Sequence, residues 1–142
     1  MVEHHEHHDR SLGRPLQCSV VTPEATVLET EAQFVALPLY DGEMGIAPGH
    51  SPFIGRLGHG ELRVKIGGET QRYYVDGGFV QMAGDLVSVL TERAIPAAEL
   101  KQDVAEQQLT AARARPANTP ELLALRDRAQ LQARAQLRMA RR

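Results

Sequence analysis

Tryptophan is absent from this chain, cysteine occurs once, and only three tyrosines and three phenylalanines are spread over 142 residues. A carbohydrate- or ligand-binding β module would line a concave site with aromatic rings, and too few are present for that. The lone Cys18 excludes an intrachain disulfide framework and any C-x-x-C redox or zinc pair, which fits a reducing compartment. No run of about 18 apolar residues occurs, so neither a transmembrane helix nor direct membrane insertion is expected. The first fifteen residues lack the basic start and apolar stretch of a secretory signal.

The signatures of catalysis are missing as well. There is no G-x-x-x-x-G-K-S/T phosphate loop and no G-x-S-x-G nucleophile elbow. The glycines at Gly55, Gly58 and Gly60 are not spaced as a dinucleotide fingerprint and read as hairpin punctuation. Ser51 beside His50 is adjacency in sequence, whereas a base must reach its nucleophile in space. No catalytic residue, cofactor or metal site is expected. His4, His5, His7 and His8 are dense enough to hold a transition metal, but a terminal polar segment reads as a disordered tail over residues 1–15.

What is present divides in two. The net charge of −2 hides 13 acidic and 7 basic side chains in residues 1–96 against 5 acidic and 9 basic in residues 97–142. A basic segment attached to an acidic one can dock on it or on an acidic partner. Nucleic acid is not expected as the partner, because residues 97–142 carry no aromatic side chain on which bases would stack.

From Leu16 to Ile95 short apolar or alternating runs are separated by glycine, the pattern of a multi-stranded antiparallel domain. Strands are predicted at 16–21, 26–31, 33–39, 44–47, 53–57, 61–66, 70–75, 79–82 and 86–90. Asp41-Gly42, Gly58-His59-Gly60, Gly67-Gly68, Asp76-Gly77-Gly78 and Gly84-Asp85 mark turns. Leu62, Val64 and Ile66 alternate with Arg63 and Lys65, predicting one buried face and one facing water. So many closely spaced strands indicate a sandwich or flattened barrel over residues 16–96.

After Pro96 the pattern becomes helical. Residues 97–115 contain no glycine and predict a first helix. Thr119 then serves as N-cap, with Pro120 in the first position of a second helix running towards the C-terminus. Leu122, Leu125, Ala129, Ala133, Leu137 and Ala140 form a stripe for helix pairing, and Leu123 and Leu131 suggest a second contact surface. The chain reads as α+β: a β-sandwich followed by an antiparallel two-helix hairpin over residues 97–142. Two readings of the hairpin stay open: helices packed on each other and on the sandwich as plain structure, or a detachable element, because alanine-rich contacts bury little area and docking should be weak enough to reverse.

One segment resists a purely structural reading: Asp41-Gly42-Glu43-Met44-Gly45-Ile46-Ala47-Pro48-Gly49-His50-Ser51-Pro52-Phe53. It predicts a shaped surface loop with a tight turn at Asp41-Gly42, a type II turn at Pro48-Gly49 and an exposed Met44, suited to contacting another protein. The segment resembles the G-E-x-G-I-x-P-G-H-x-P element of ATP synthase epsilon subunits. Tyr74-Val75-Asp76-Gly77-Gly78-Phe79-Val80, Val87-Ser88-Val89-Leu90 and Ala94-Ile95 are similar to later elements of that family, in the same order.

The resemblance implies a ten-stranded β-sandwich in the rotor of an F-type ATP synthase, joining the gamma subunit to the membrane rotor ring. It implies a rotor-ring contact at Asp41, Gly42, Glu43 and Met44, and a gamma contact at Pro48, Gly49 and His50. It further implies a hairpin that either folds on the sandwich or extends to the catalytic beta and alpha subunits and slows ATP hydrolysis. Arg113, Arg115, Arg126, Arg128, Arg134 and Arg138 would carry that attraction. The location implied is the cytoplasmic face of the inner membrane, or the stromal face of the thylakoid. Some members bind ATP through a hydrophobic-Asp-x-x-Arg-Ala motif; here Leu100-Lys101-Gln102-Asp103-Val104-Ala105 lacks its arginine and carries Lys101 where the acid is expected, so weak or no ATP binding is expected. A ligand-binding module and an enzyme are the competing readings, and copurification with gamma and alpha-beta subunits separates the three.

Overall fold

The computed structural model describes residues 14–142, and the His-rich residues 1–13, with the expectations placed on them, lie outside the described residues. Ten strands form two five-stranded sheets. The first sheet has the order β2(Thr26–Ala32), β1(Leu16–Val21), β9(Leu86–Leu90), β8(Phe79–Ala83), β5(Phe53–Arg56). The second has the order β10(Ala94–Pro96), β7(Glu69–Asp76), β6(His59–Ile66), β3(Phe34–Leu39), β4(Gly42–Ile46).

The period of two decides which side chains meet between the sheets. Leu16, Cys18 and Val20 of β1, Val87 and Val89 of β9, and Val80 and Met82 of β8 face Leu62 and Val64 of β6, Tyr73 and Val75 of β7, and Val35 and Leu37 of β3 in one core. Two features depart from the strands predicted one by one. β1 pairs with β9 in parallel, Gln17 opposite Leu86 through Val21 opposite Leu90. A tenth strand of three residues adds to β7, with Ile95 opposite Tyr74. β6 also begins two residues earlier than predicted, because His59 pairs with Asp76 at the far end of β7.

The predicted first helix begins late. Ala97–Glu99 is a single 3₁₀ turn, Leu100 and Lys101 are extended, and α1 runs over Gln102–Arg113. The extended pair lets Leu100 join the apolar cluster of Tyr74, Ile95, Ala97, Ala135 and Met139. α2(Pro120–Ala140) starts as predicted: the Thr119 hydroxyl accepts from the Leu122 amide at 3.1 Å, with Pro120 in the first position.

Ala105 and Leu109 of α1 pack against Ala133 and Leu137 of α2. Leu125 of the predicted stripe stays exposed. The second contact surface lies elsewhere than expected: Leu123 and Leu131 are exposed, whereas Ala135, Gln136 and Met139 are buried. Ala135 and Met139 pack on Tyr74, so α2 lies over the outer face of β6 and β7. No helix among the described residues is long and apolar enough to cross a membrane.

Candidate functional site

The Asp41–Met44 segment closes the β3–β4 turn and starts the edge strand of the second sheet. Asp41, Gly42 and Glu43 are exposed. Met44 is half-buried rather than fully exposed, because it shares a side of β4 with the buried Ile46 and stands opposite the buried Leu37. On the other side of β4 the ring of Phe34 covers Gly45, leaving a Cβ there only 2.6 Å from the ring. Glu43 is bound: Arg63 Nη2 donates to its Oε1 at 2.9 Å.

Pro48, Gly49 and His50 follow in a turn in which the His50 amide donates to the Ala47 carbonyl at 3.2 Å and Gly49 takes a φ of 86°. That left-handed value is the one a type II turn demands of its third residue. The His50 ring then meets Phe53 edge-on, centroids 5.4 Å apart, where the chain enters β5.

Under α2 the outer face of the second sheet is ionic. Glu61 receives Arg63 at 3.2 Å, Arg72 at 2.6 Å and Arg142 at 2.7 Å. Burial pushes its carboxyl up, but the hydrogen bonds from Arg72 and Arg63 and the charges of Arg72 and Arg142 outweigh it and hold the group below its ordinary value. Arg63 and Lys65 predicted a face meeting water: Lys65 is exposed as expected, while towards Glu61 and Arg63 the hairpin covers part of that face.

A second hub surrounds Asp76, whose side chain is 8 % exposed. His59 Nδ1 donates to Oδ1 at 2.5 Å and the Tyr74 hydroxyl at 3.2 Å, while Arg93 stands 3.3 Å from Oδ2. Gln132 of α2 donates to both carboxylate oxygens at 3.0 and 3.1 Å. Burial again raises the carboxyl, and the hydrogen bonds from Gln132 and His59 with the charges of His59 and Arg93 bring it below its ordinary value. Burial and the Asp76 charge keep the Tyr74 hydroxyl protonated, as a donor.

The six arginines picked from the sequence do not form one site. Arg113, Arg134 and Arg138 line a groove between the helices together with Arg141, Glu106, Leu109, Thr110 and Leu137. Arg115 reaches the Leu125 carbonyl at 3.5 Å. The Nε of Arg126 is buried without a partner, and Arg128 stands apart at a cleft with Leu131, Tyr40, Arg56 and Glu92.

Sequence reasoning missed the outer face of the first sheet. Ile54 (75 % exposed), Phe79 (58 %) and Leu90 (55 %) stand on it, with Arg56 opposite Phe79, Phe79 opposite Leu90, and Leu90 beside Val21. Among the described residues nothing covers these three side chains, each more than half exposed. The signal was available: Phe79 and Gln81 alternate with the buried Val80 and Met82, which puts a large aromatic ring on the polar side of a strand.

Comparison with known proteins agrees with the two-sheet fold. The family described as "ATP synthase, Delta/Epsilon chain, beta-sandwich domain" matches residues 15–97. The chain is 50% identical over 126 residues to the ATP synthase epsilon chain of Rhodopirellula baltica, covering 89% of this chain and 98% of that one. It is 35% identical over 109 residues to that of Rubrobacter xylanophilus, covering 77% and 75%. In fold it is similar to a chain of the Euglena gracilis mitochondrial ATP synthase OSCP/F1/c-ring structure, with a TM-score of 0.75, 23% identity and coverage of 88% and 79%. A chain of the Tetrahymena thermophila ATP synthase central stalk/c-ring structure gives 0.72, at 12% identity and coverage of 89% and 97%. The chain belongs to the ATP synthase delta/epsilon family, as a non-catalytic epsilon-type chain.

Proposed function

We propose that this chain couples the gamma subunit to the membrane rotor ring during proton-driven ATP synthesis, and that its hairpin restrains ATP hydrolysis. The observation that carries the reading is the asymmetry of the sandwich. One outer face is covered by the chain's own α2, while the other leaves Ile54, Phe79 and Leu90 bare. Exposed large apolar side chains gathered on a sheet fit a partner surface. Gamma is the partner assigned to it, with Pro48, Gly49 and His50 at its border next to β5. Copurification of the chain with gamma and with alpha-beta subunits tests this, and failure to retain gamma counts against it.

The ring contact is assigned to the exposed Asp41 and Gly42, to Glu43 held by Arg63, and to the half-buried Met44. Replacing Glu43 and Met44 together should lower proton-coupled synthesis. The groove of Arg113, Arg134, Arg138 and Arg141 supports an electrostatic contact with an acidic segment of the beta subunits, and alpha lies within reach of the same extended hairpin. In that reading the complex works at the cytoplasmic face of the membrane, and deleting residues 97–142 preserves assembly while relieving inhibition of ATP hydrolysis.

A further inference from the structure

We infer that the Asp76 carboxylate and the Gln132 side-chain amide form the latch that holds the hairpin on the sandwich. The inference rests on the reading that the hairpin detaches, and names what sets its docked state.

The socket is built by the sandwich alone. Asp76 ends β7 opposite His59 at the start of β6, and its own amide donates to the Thr91 hydroxyl at 3.0 Å. His59, Tyr74 and Arg93 hold its carboxylate from β6, β7 and the segment before β10. Arg93 in turn lies over the Tyr74 ring, 5.5 Å from its centroid. None of these groups comes from the hairpin, so the carboxylate stays aimed outward whether or not α2 is seated. Gln132 then supplies one NH₂ that reaches both oxygens. Its neighbour one turn on, Gln136, is buried beside the Tyr74 hydroxyl.

The rest of the seat is less selective. Ala135 and Met139 offer small and flexible apolar contacts to Tyr74, which tolerate sliding. The remaining polar contacts, Arg142 on Glu61 and Arg72 on the Met139 carbonyl, sit at the end of α2. In the middle of the interface Gln136 meets only the neutral Tyr74 hydroxyl, whereas the Gln132 amide meets the Asp76 carboxylate, and hydrogen bonds to a charged, largely buried acceptor are the strong kind. A switch needs two states of similar free energy, and a latch of one amide on one carboxylate is small enough to allow that.

The test reads detachment directly. In the full chain, Ala135→Cys puts a thiol under Tyr74, where labelling requires α2 to lift, while the native Cys18 is buried in the sandwich and labels only when that opens. Gln132→Glu faces a carboxylate with a carboxylate and should raise the labelling rate of position 135 at least about tenfold, leaving Cys18 unchanged. Adding Asp76→Asn should restore much of the protection by reversing the donor and acceptor. An unchanged rate at position 135 in the Gln132→Glu chain overturns the latch. If position 135 in the parent labels no faster than Cys18, the hairpin does not detach and the reading beneath the latch fails instead.

Discussion

Gly78 lies so close to Leu90 that a Cβ on it would stand 1.9 Å from the Leu90 carbonyl oxygen. This contact locks the start of β8 to the end of β9, and Gly78 holds it at a φ of 104°, a value side chains rarely adopt. Gly78→Ala should therefore destabilise the chain by about 3 kcal/mol or more, since backbone on both sides must move. Gly67→Ala, at a φ of 60° with nothing within 4 Å, should cost only about 1 kcal/mol. Urea midpoints of the two variants check the contrast.

Acid should unfold the protein through Asp76 and Glu61. Both carboxyls lie below their ordinary values when folded. Each therefore contributes stability that is fully present above the ordinary carboxylate value, about pH 4, and that is lost as pH falls through the lower folded value. Urea stability should stay flat on this account from neutral pH to about pH 5 and decline below about pH 4. Glu61→Gln should flatten that decline. Glu43, though also lowered, is exposed and screened, and should matter little.

Cys18 should behave as an inert core residue. Burial pushes its thiol up to about 11, so almost no thiolate exists at neutral pH. Ellman's reagent should react with the folded chain only on the timescale of unfolding, and rapidly in strong denaturant.

Nucleotide sensing should be absent or weak. Lys101 and Val104 stand exposed at the start of α1 where the related ATP motif carries its acid and arginine. Calorimetry on the full chain with ATP should give no micromolar binding.

Much of the sandwich was legible because alternation is local: Leu62, Val64 and their neighbours report the inward side of β6 from five consecutive residues. The parallel pairing of β1 with β9 was not, since its partners are far apart in sequence, and β10 is too short to show a period. The outer faces of the sheets were the hardest to read. Glu61 and Arg63 look solvent-facing until Arg142 arrives from 81 positions away, a pairing that alternation cannot report. Asp76 read as part of a D-G-G turn for the same reason, because its partners come from β6, the segment before β10, and α2. Phe79 was readable, as a large ring alternating with the buried Val80 and Met82.

The most direct test of the stalk reading is the affinity of the full chain for the gamma subunit after Phe79→Asp and Ile54→Asp. Both side chains are exposed, so folding should be preserved, and circular dichroism and urea midpoints should match the parent. The double variant should bind gamma at least about a hundredfold more weakly, the loss of two well-packed interface anchors. Undiminished binding by a folded double variant would contradict the assignment of this face to gamma.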